Sequence, residues 1–300
     1  MLQSPIIANS HNSVTSTNST DNGADVGFEM VKDKEAFRNY KDGELLDTVS
    51  RSYRNSHTFQ TYAYALEKKN KYARLDSGIR MSIWEAAELL NSVVDESDPD
   101  SGIPQINHLL QTAEAIRKVY PGEEYDWFHL VGFIHDLGKI LITEKFGGQP
   151  QWAVVGDTFP LGCPFDPSNI FFDFFKDNPD WSNPLYNTGN GIYPVGCGLE
   201  NVIMSWGHDE YFYQVCLGND CLLPKQALYM IRFHSFYPWH RAGQYKSLTN
   251  QQDEEMLKWV KEFNLFDLYS KDPEPINVDK LKPYYQSLIK KYFPNDILNW

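Results

Sequence analysis

Apolar residues recur along most of the chain at the three-and-four spacing of a helix with one buried face. Phe59, Tyr62, Ala63 and Leu66 set one such stripe, and Ile83, Ala86, Ala87, Leu90 and Val94 set another. Ile106, Leu109, Leu110, Ala113 and Ile116 predict a third helix. Residues 127–141 predict a fourth, with Phe128, Val131 and His135 at i, i+3 and i+7. Between about 147 and 197 the period dissolves into a stretch punctuated by Gly147-Gly148 and six prolines, from Pro160 to Pro194. An irregular run of that length inside a compact domain is often functional. Helical patterns return at 199–217, 225–236, 250–268 and 278–292, with Pro224 just ahead of the second and Pro238 after it. Residues 1–27 are rich in Ser, Thr and Asn, carry no period, and read as a disordered tail. No repeat or linker divides 28–300. The pattern predicts one mostly α-helical domain, a single bundle with long irregular loops.

Several polar residues interrupt these stripes. His135 lies on the apolar face of its segment, and Asp136 is beside it. An unpaired buried carboxylate costs several kcal/mol, so a partner is required. Either Lys139 pairs with it at i+3, or a metal ion does. His234 continues the stripe of Ala227, Met230 and Ile231, and Asp267 continues that of Met256, Val260 and Phe263. His108 sits among Ile106, Leu109 and Leu110, and His208 between two apolar runs. Any one of these histidines reads most simply as a hydrogen-bonded core residue. Four His and two Asp together read better as a metal centre built from inward side chains of facing helices. Nitrogen and oxygen donors without thiolate suit Fe, Mn or Zn. Six ligands exceed the three or four that one zinc takes, whereas two metals sharing a carboxylate would use all six. His129 should face away from His135, and His57, His240 and His11 lack a stripe. Asp209, in a second His-Asp pair, reads as a cap or a local ion-pair member.

Composition narrows the function. The net charge is −13 and no basic run occurs, so nucleic acid and anionic membrane are poor partners. No segment approaches the ~20 apolar residues of a membrane span. No secretory h-region is visible, and no Lys or Arg precedes Lys32. The four cysteines form no C-x-x-C pair. A cytoplasmic monomer with reduced thiols is expected, binding a small molecule and no nucleic acid or membrane.

The order His108, His135-Asp136, Asp267 resembles the HD-domain superfamily, and His208 and His234 between them resemble its dinuclear subtype. More narrowly, DESDPD, HLVGFIHDLGKI, PQWAVVGDTFPLGC, CGLENVIMSWGHDEY, YMIRFHSFYPWH and EFNLFDLYSK are similar to the myo-inositol oxygenases. The resemblance implies an HD-domain-like di-iron oxygenase domain over 28–300. His108, His135, Asp136 and Asp267 would bind one iron, and His208 and His234 the second, with Asp136 bridging. A mixed-valent Fe(II)/Fe(III) pair and no organic cofactor would carry out O2-dependent, four-electron ring cleavage of myo-inositol to D-glucuronate, a step of inositol catabolism. Asp136 and Lys139 would hold catalytic roles. Substrate contacts would come from Arg38, Asp95, Lys139, Gly156, Asp157, His234, Ser235 and Lys271. These types suit a polyol, whose hydroxyls need carboxylates to accept and Lys, Ser or backbone N–H to donate. The competing readings are an HD-type metal-dependent phosphohydrolase, which wants clustered cations for phosphate, and a catalytically silent helical scaffold.

Overall fold

The computed structural model describes residues 26–41, 43–100 and 104–300. All of the expected tail except Val26 and Gly27 lies outside the described residues. Helices dominate: α1 (Leu46–Phe59), α2 (Tyr62–Tyr72), α3 (Ile83–Leu89), α4 (Gln105–Val119), α5 (Asp126–Ile134), α6 (His208–Gly218), α7 (Lys225–Phe233), the short α8 (Tyr237–His240), α9 (Gln251–Tyr269) and α10 (Val278–Tyr292). A two-residue antiparallel pair, β1 (Arg80–Met81) with β2 (Leu298–Asn299), ties the C-terminus to the start of α3. Among the described residues no helix is long and apolar enough to cross a membrane.

The α4–α5 pair is the centre of the bundle, packed through Ala113, Ile116, Phe128 and Phe133, all fully buried. Gly132 permits the approach, because a Cβ there would stand 2.6 Å from the Ala113 Cα. Phe263 and Phe266 of α9 and Met230 and Ile231 of α7 close the core.

Several predicted boundaries move. The stripe from Phe59 to Leu66 is two helices. Gln60 breaks it by exchanging hydrogen bonds with the Trp206 backbone at 2.7 and 3.0 Å, and the Thr61 hydroxyl caps α2. The stripe ending at Val94 stops as helix at Leu89, and Val94 is exposed. The segment 127–141 is α-helical only to Ile134. Asp136 takes φ −95° and ψ 2°, and Leu137–Ile142 tightens to a 3₁₀ turn. Gly138 lets that turn lie against the first residue of α6, since a Cβ there would overlap the His208 carbonyl. The predicted helix 199–217 begins only at His208. Before it, Leu161 and Ser205 bond Ile203 and Phe159 across an extended stretch. Pro238 opens α8 rather than following a helix to residue 236.

Candidate metal centre

The six predicted ligands converge, and mostly from helix ends. His108 and Asp267 lie within α4 and α9. His135 caps the C-terminus of α5, Asp136 follows it, His208 is the first residue of α6, and His234 caps α7. The expectation of inward side chains on continuous helical stripes is corrected to that extent. Helix ends place side chains at the junction between packed helices, where several elements meet.

Asp136 stands in the middle, 3% exposed. Its Oδ2 lies 3.7 Å from His108 Nε2 and 3.5 Å from His135 Nε2. Both those nitrogens also face Asp267 Oδ1, at 3.1 and 3.3 Å. Its Oδ1 faces the other way, 3.2 Å from His208 Nε2 and 3.5 Å from His234 Nε2. Two groups spaced to hold a metal ion thus share this one carboxylate: His108, His135, Asp136 and Asp136, His208, His234.

The hydrogen bonds fix which nitrogens point inward. The Nδ1 of His135 donates to the Gly132 carbonyl at 3.0 Å, that of His208 to Val154 at 2.8 Å, and that of His234 to Ile231 at 3.0 Å. A carbonyl only accepts, so each Nδ1 carries the proton and each Nε2 turns a lone pair to the centre. His135 Nε2 is buried without a hydrogen-bond partner, and His208 and His234 present their Nε2 atoms to each other at 3.2 Å. Lone pairs so arranged repel unless a cation lies among them, and nitrogen and oxygen donors without thiolate suit a transition metal such as Fe, Mn or Zn. Without metal, protons serve. Burial opposes charge on His208, yet Asp209 and Asp136 outweigh it and push the imidazole up to about 10. Burial holds His135 neutral, below its ordinary value. Asp136 stays ionised despite burial, held well below the usual carboxylate range by Lys139 and His135.

Every other predicted site residue gathers at one cavity. With His135 fully buried behind them, Arg38, Asp95, Lys139, Gly156, Asp157, Ser235 and Lys271 line it together with the other five ligands. Lys139 is buried, not a surface residue, and its Nζ lies 2.7 Å from both Asp136 Oδ2 and Asp95 Oδ2. Burial disfavours its ammonium, but those two carboxylates hold it charged well above the ordinary lysine value. Arg38 Nη2 meets Asp157 Oδ2 at 2.6 Å and stacks on the Tyr237 ring at 3.5 Å. Lys271 meets Asp98 Oδ2 at 2.6 Å. Ser235 Oγ lies 3.3 Å from His208 Nε2. Gly156 has φ +97°, a conformation open to glycine, and delivers Asp157 to the cavity. Among the described residues that line it, Leu268 is the only aliphatic side chain, so the cavity suits a hydroxylated ligand better than an apolar one.

A family model described as myo-inositol oxygenase matches residues 46–300. The chain belongs to the myo-inositol oxygenase family. Its relatives include an inositol oxygenase of Dictyostelium discoideum, 69% identical over 280 residues, covering 93% of this chain and 95% of that protein. Inositol oxygenase 5 of Arabidopsis thaliana is 56% identical over 266 residues, covering 88% and 83%. The inositol oxygenase of Rattus norvegicus is 53% identical over 277 residues, covering 92% and 95%.

This family member carries site residues that sequence reasoning passed over. Tyr53 of α1 donates to Asp157 Oδ1 at 3.0 Å, and Tyr40 and Tyr237 flank Arg38. Asp98 and Ser97 lie in the same DESDPD string as Asp95, and Ser97 donates through both N–H and Oγ to Asp95 Oδ1. Nothing in local periodicity marks them. Asp209 makes the local pairing expected of it, with Oδ1 2.9 Å from His208 Nε2, but it does so in the interior, 1% exposed. His129 does face away, bonded to Tyr284 and the Tyr120 carbonyl.

Proposed function

We propose that this inositol oxygenase holds two iron ions. One would lie among His108, His135, Asp267 and Asp136 Oδ2, the other among Asp136 Oδ1, His208 and His234. Bound there as a mixed-valent pair, iron would relay electrons from the substrate to O2 and supply the Lewis acidity to which a polyol hydroxyl responds. The reaction is O2-dependent cleavage of myo-inositol to D-glucuronate. Atom balance takes one inositol and one O2 to one glucuronate, one water and one proton. All four electrons come from the inositol, so no organic cofactor enters.

The chain's own residues bind and orient the hexol. Asp95 and Asp157 accept from ring hydroxyls, while Arg38, Lys271 and Ser235 donate, with His234 and the Gly156 backbone beside them. Lys139, poised over Asp136, directs a charged donor at the substrate oxygen nearest the ligands and so favours its loss of a proton. Burial makes each of these hydrogen bonds stronger than it would be in water. One chain supplies every residue named, so the proposed site needs no second subunit to be complete.

The observation that carries this reading is the Asp136 carboxylate, with one oxygen toward each half of the ligand set. The phosphohydrolase reading is weaker, because the three cations of the cavity, Arg38, Lys139 and Lys271, are already matched by carboxylates. None is left over for a phosphate. Anaerobic loading with Fe(II) followed by metal counting tests the proposal. Two ions per chain are expected, falling to one in His208→Ala. A wild-type stoichiometry near one, unchanged by that substitution, would contradict it.

A further inference from the structure

The two halves of the ligand set are unequal as described. The His108/His135 half has a carboxylate of its own, Asp267, besides its share of Asp136. The His208/His234 half has only its share of Asp136 and two imidazoles. Resting on the two-ion reading, we propose that Asp209 supplies the missing negative charge, as a positioning residue that the His208/His234 half needs to hold its ion.

Asp209 sits in the first turn of α6 and is 1% exposed. An acidic residue there has an ordinary explanation in the positive end of the helix. Its Oδ2 has another, accepting the Ser235 N–H at 3.3 Å. Neither accounts for Oδ1. That oxygen is buried without a well-aligned donor, yet it lies 2.9 Å from His208 Nε2. The proton of His208 is on Nδ1, given to Val154. With an ion at Nε2, that nitrogen has no proton to give Oδ1, and both atoms present lone pairs. Such a contact is stable when a cation stands beside both. The contacts of Asp209 are confined to this half: His208, Ser235 and, at 4.0 Å, His234 Nδ1. With Asp209 counted, each half has two imidazoles and one carboxylate of its own, and Asp136 joins them. Supporting groups of this kind change metal affinity by about 10- to 100-fold.

The test uses the full chain and Fe(II) alone, titrated anaerobically with bound metal counted. Asp209→Asn keeps the shape and an oxygen for the Ser235 N–H while removing the charge. It is expected to hold one ion as the wild type does and the second at least tenfold more weakly. Asp209→Glu, which keeps the charge, is expected to hold the second ion more tightly than Asp209→Asn. Two ions at wild-type affinity in Asp209→Asn would overturn the inference and leave the two-ion reading intact. So would equal loss of both ions, since that signals a general structural role, and so would equal weakening in the Asn and Glu variants. A wild type that binds a single ion would overturn the two-ion reading and the inference with it.

Discussion

Lys139 joins the proposed chemistry of the site to its stability. As a solvent-exposed i,i+3 pair with Asp136 it would contribute about 1 kcal/mol or less. It is buried and bridges two carboxylates, so its removal leaves Asp95 and Asp136 facing each other. Breaking a buried pair in that way costs about 3–5 kcal/mol. Lys139→Ala should therefore melt several degrees below wild type. It should also lose about tenfold to a hundredfold in kcat/KM, the equivalent of one charge-assisted hydrogen bond. Lys139→Arg should recover little, because a planar fork does not replace a compact ammonium between two carboxylates. Wild-type kinetics in Lys139→Ala would remove Lys139 from the mechanism. Asp136 and Asp267 differ in the same concrete way. Asp136 turns an oxygen to each half, whereas Asp267 meets only His108 and His135. Asp136→Asn should lower retained iron toward zero and Asp267→Asn toward one. Equal iron contents in the two variants would refute the bridging role.

Close contacts between elements aim these residues. Gly132 lets α5 lie against α4, and Gly138 lets the 3₁₀ turn lie against the first residue of α6. Gly132→Ala should force the two central helices apart, an overpacking cost of about 1–3 kcal/mol, read as a lower Tm by calorimetry. Gly138→Ala should press on the His208 backbone and weaken iron at the His208/His234 half more than it lowers Tm. Equal metal affinity in Gly138→Ala and wild type would show that this contact does not position His208. Most helices were legible in the chain because amphipathic periodicity is a local property, and α4, α9 and α10 lie close to where the stripes put them. Their interruptions were not legible. The break at Gln60 depends on the Trp206 backbone, and the turn after Asp136 packs against His208, partners far away in sequence. The same reasoning separates the site residues. His108, His135, His234 and Asp267 betray themselves by standing on apolar stripes. Tyr53, Asp98 and Asp209 acquire meaning only from what the fold brings to them.

For the whole molecule, a centre assembled from α4, α5, α6, α7 and α9 links most of the bundle through one point. Iron bound there should stabilise the entire fold, by about 2.7 kcal/mol when free metal is a hundredfold above Kd. A thermal scan with and without Fe(II) should show that rise, and its absence in Asp136→Asn. The net charge of −13 and the matched cations of the cavity both point away from anionic substrates and toward a neutral polyol. The most direct measurement follows O2 and product together, in anaerobically iron-loaded protein given myo-inositol and then a known amount of O2. Inositol-dependent O2 uptake is expected, with one D-glucuronate formed per O2 consumed. Iron-loaded, folded protein that consumes no O2 with inositol, or consumes it without forming glucuronate, would contradict it.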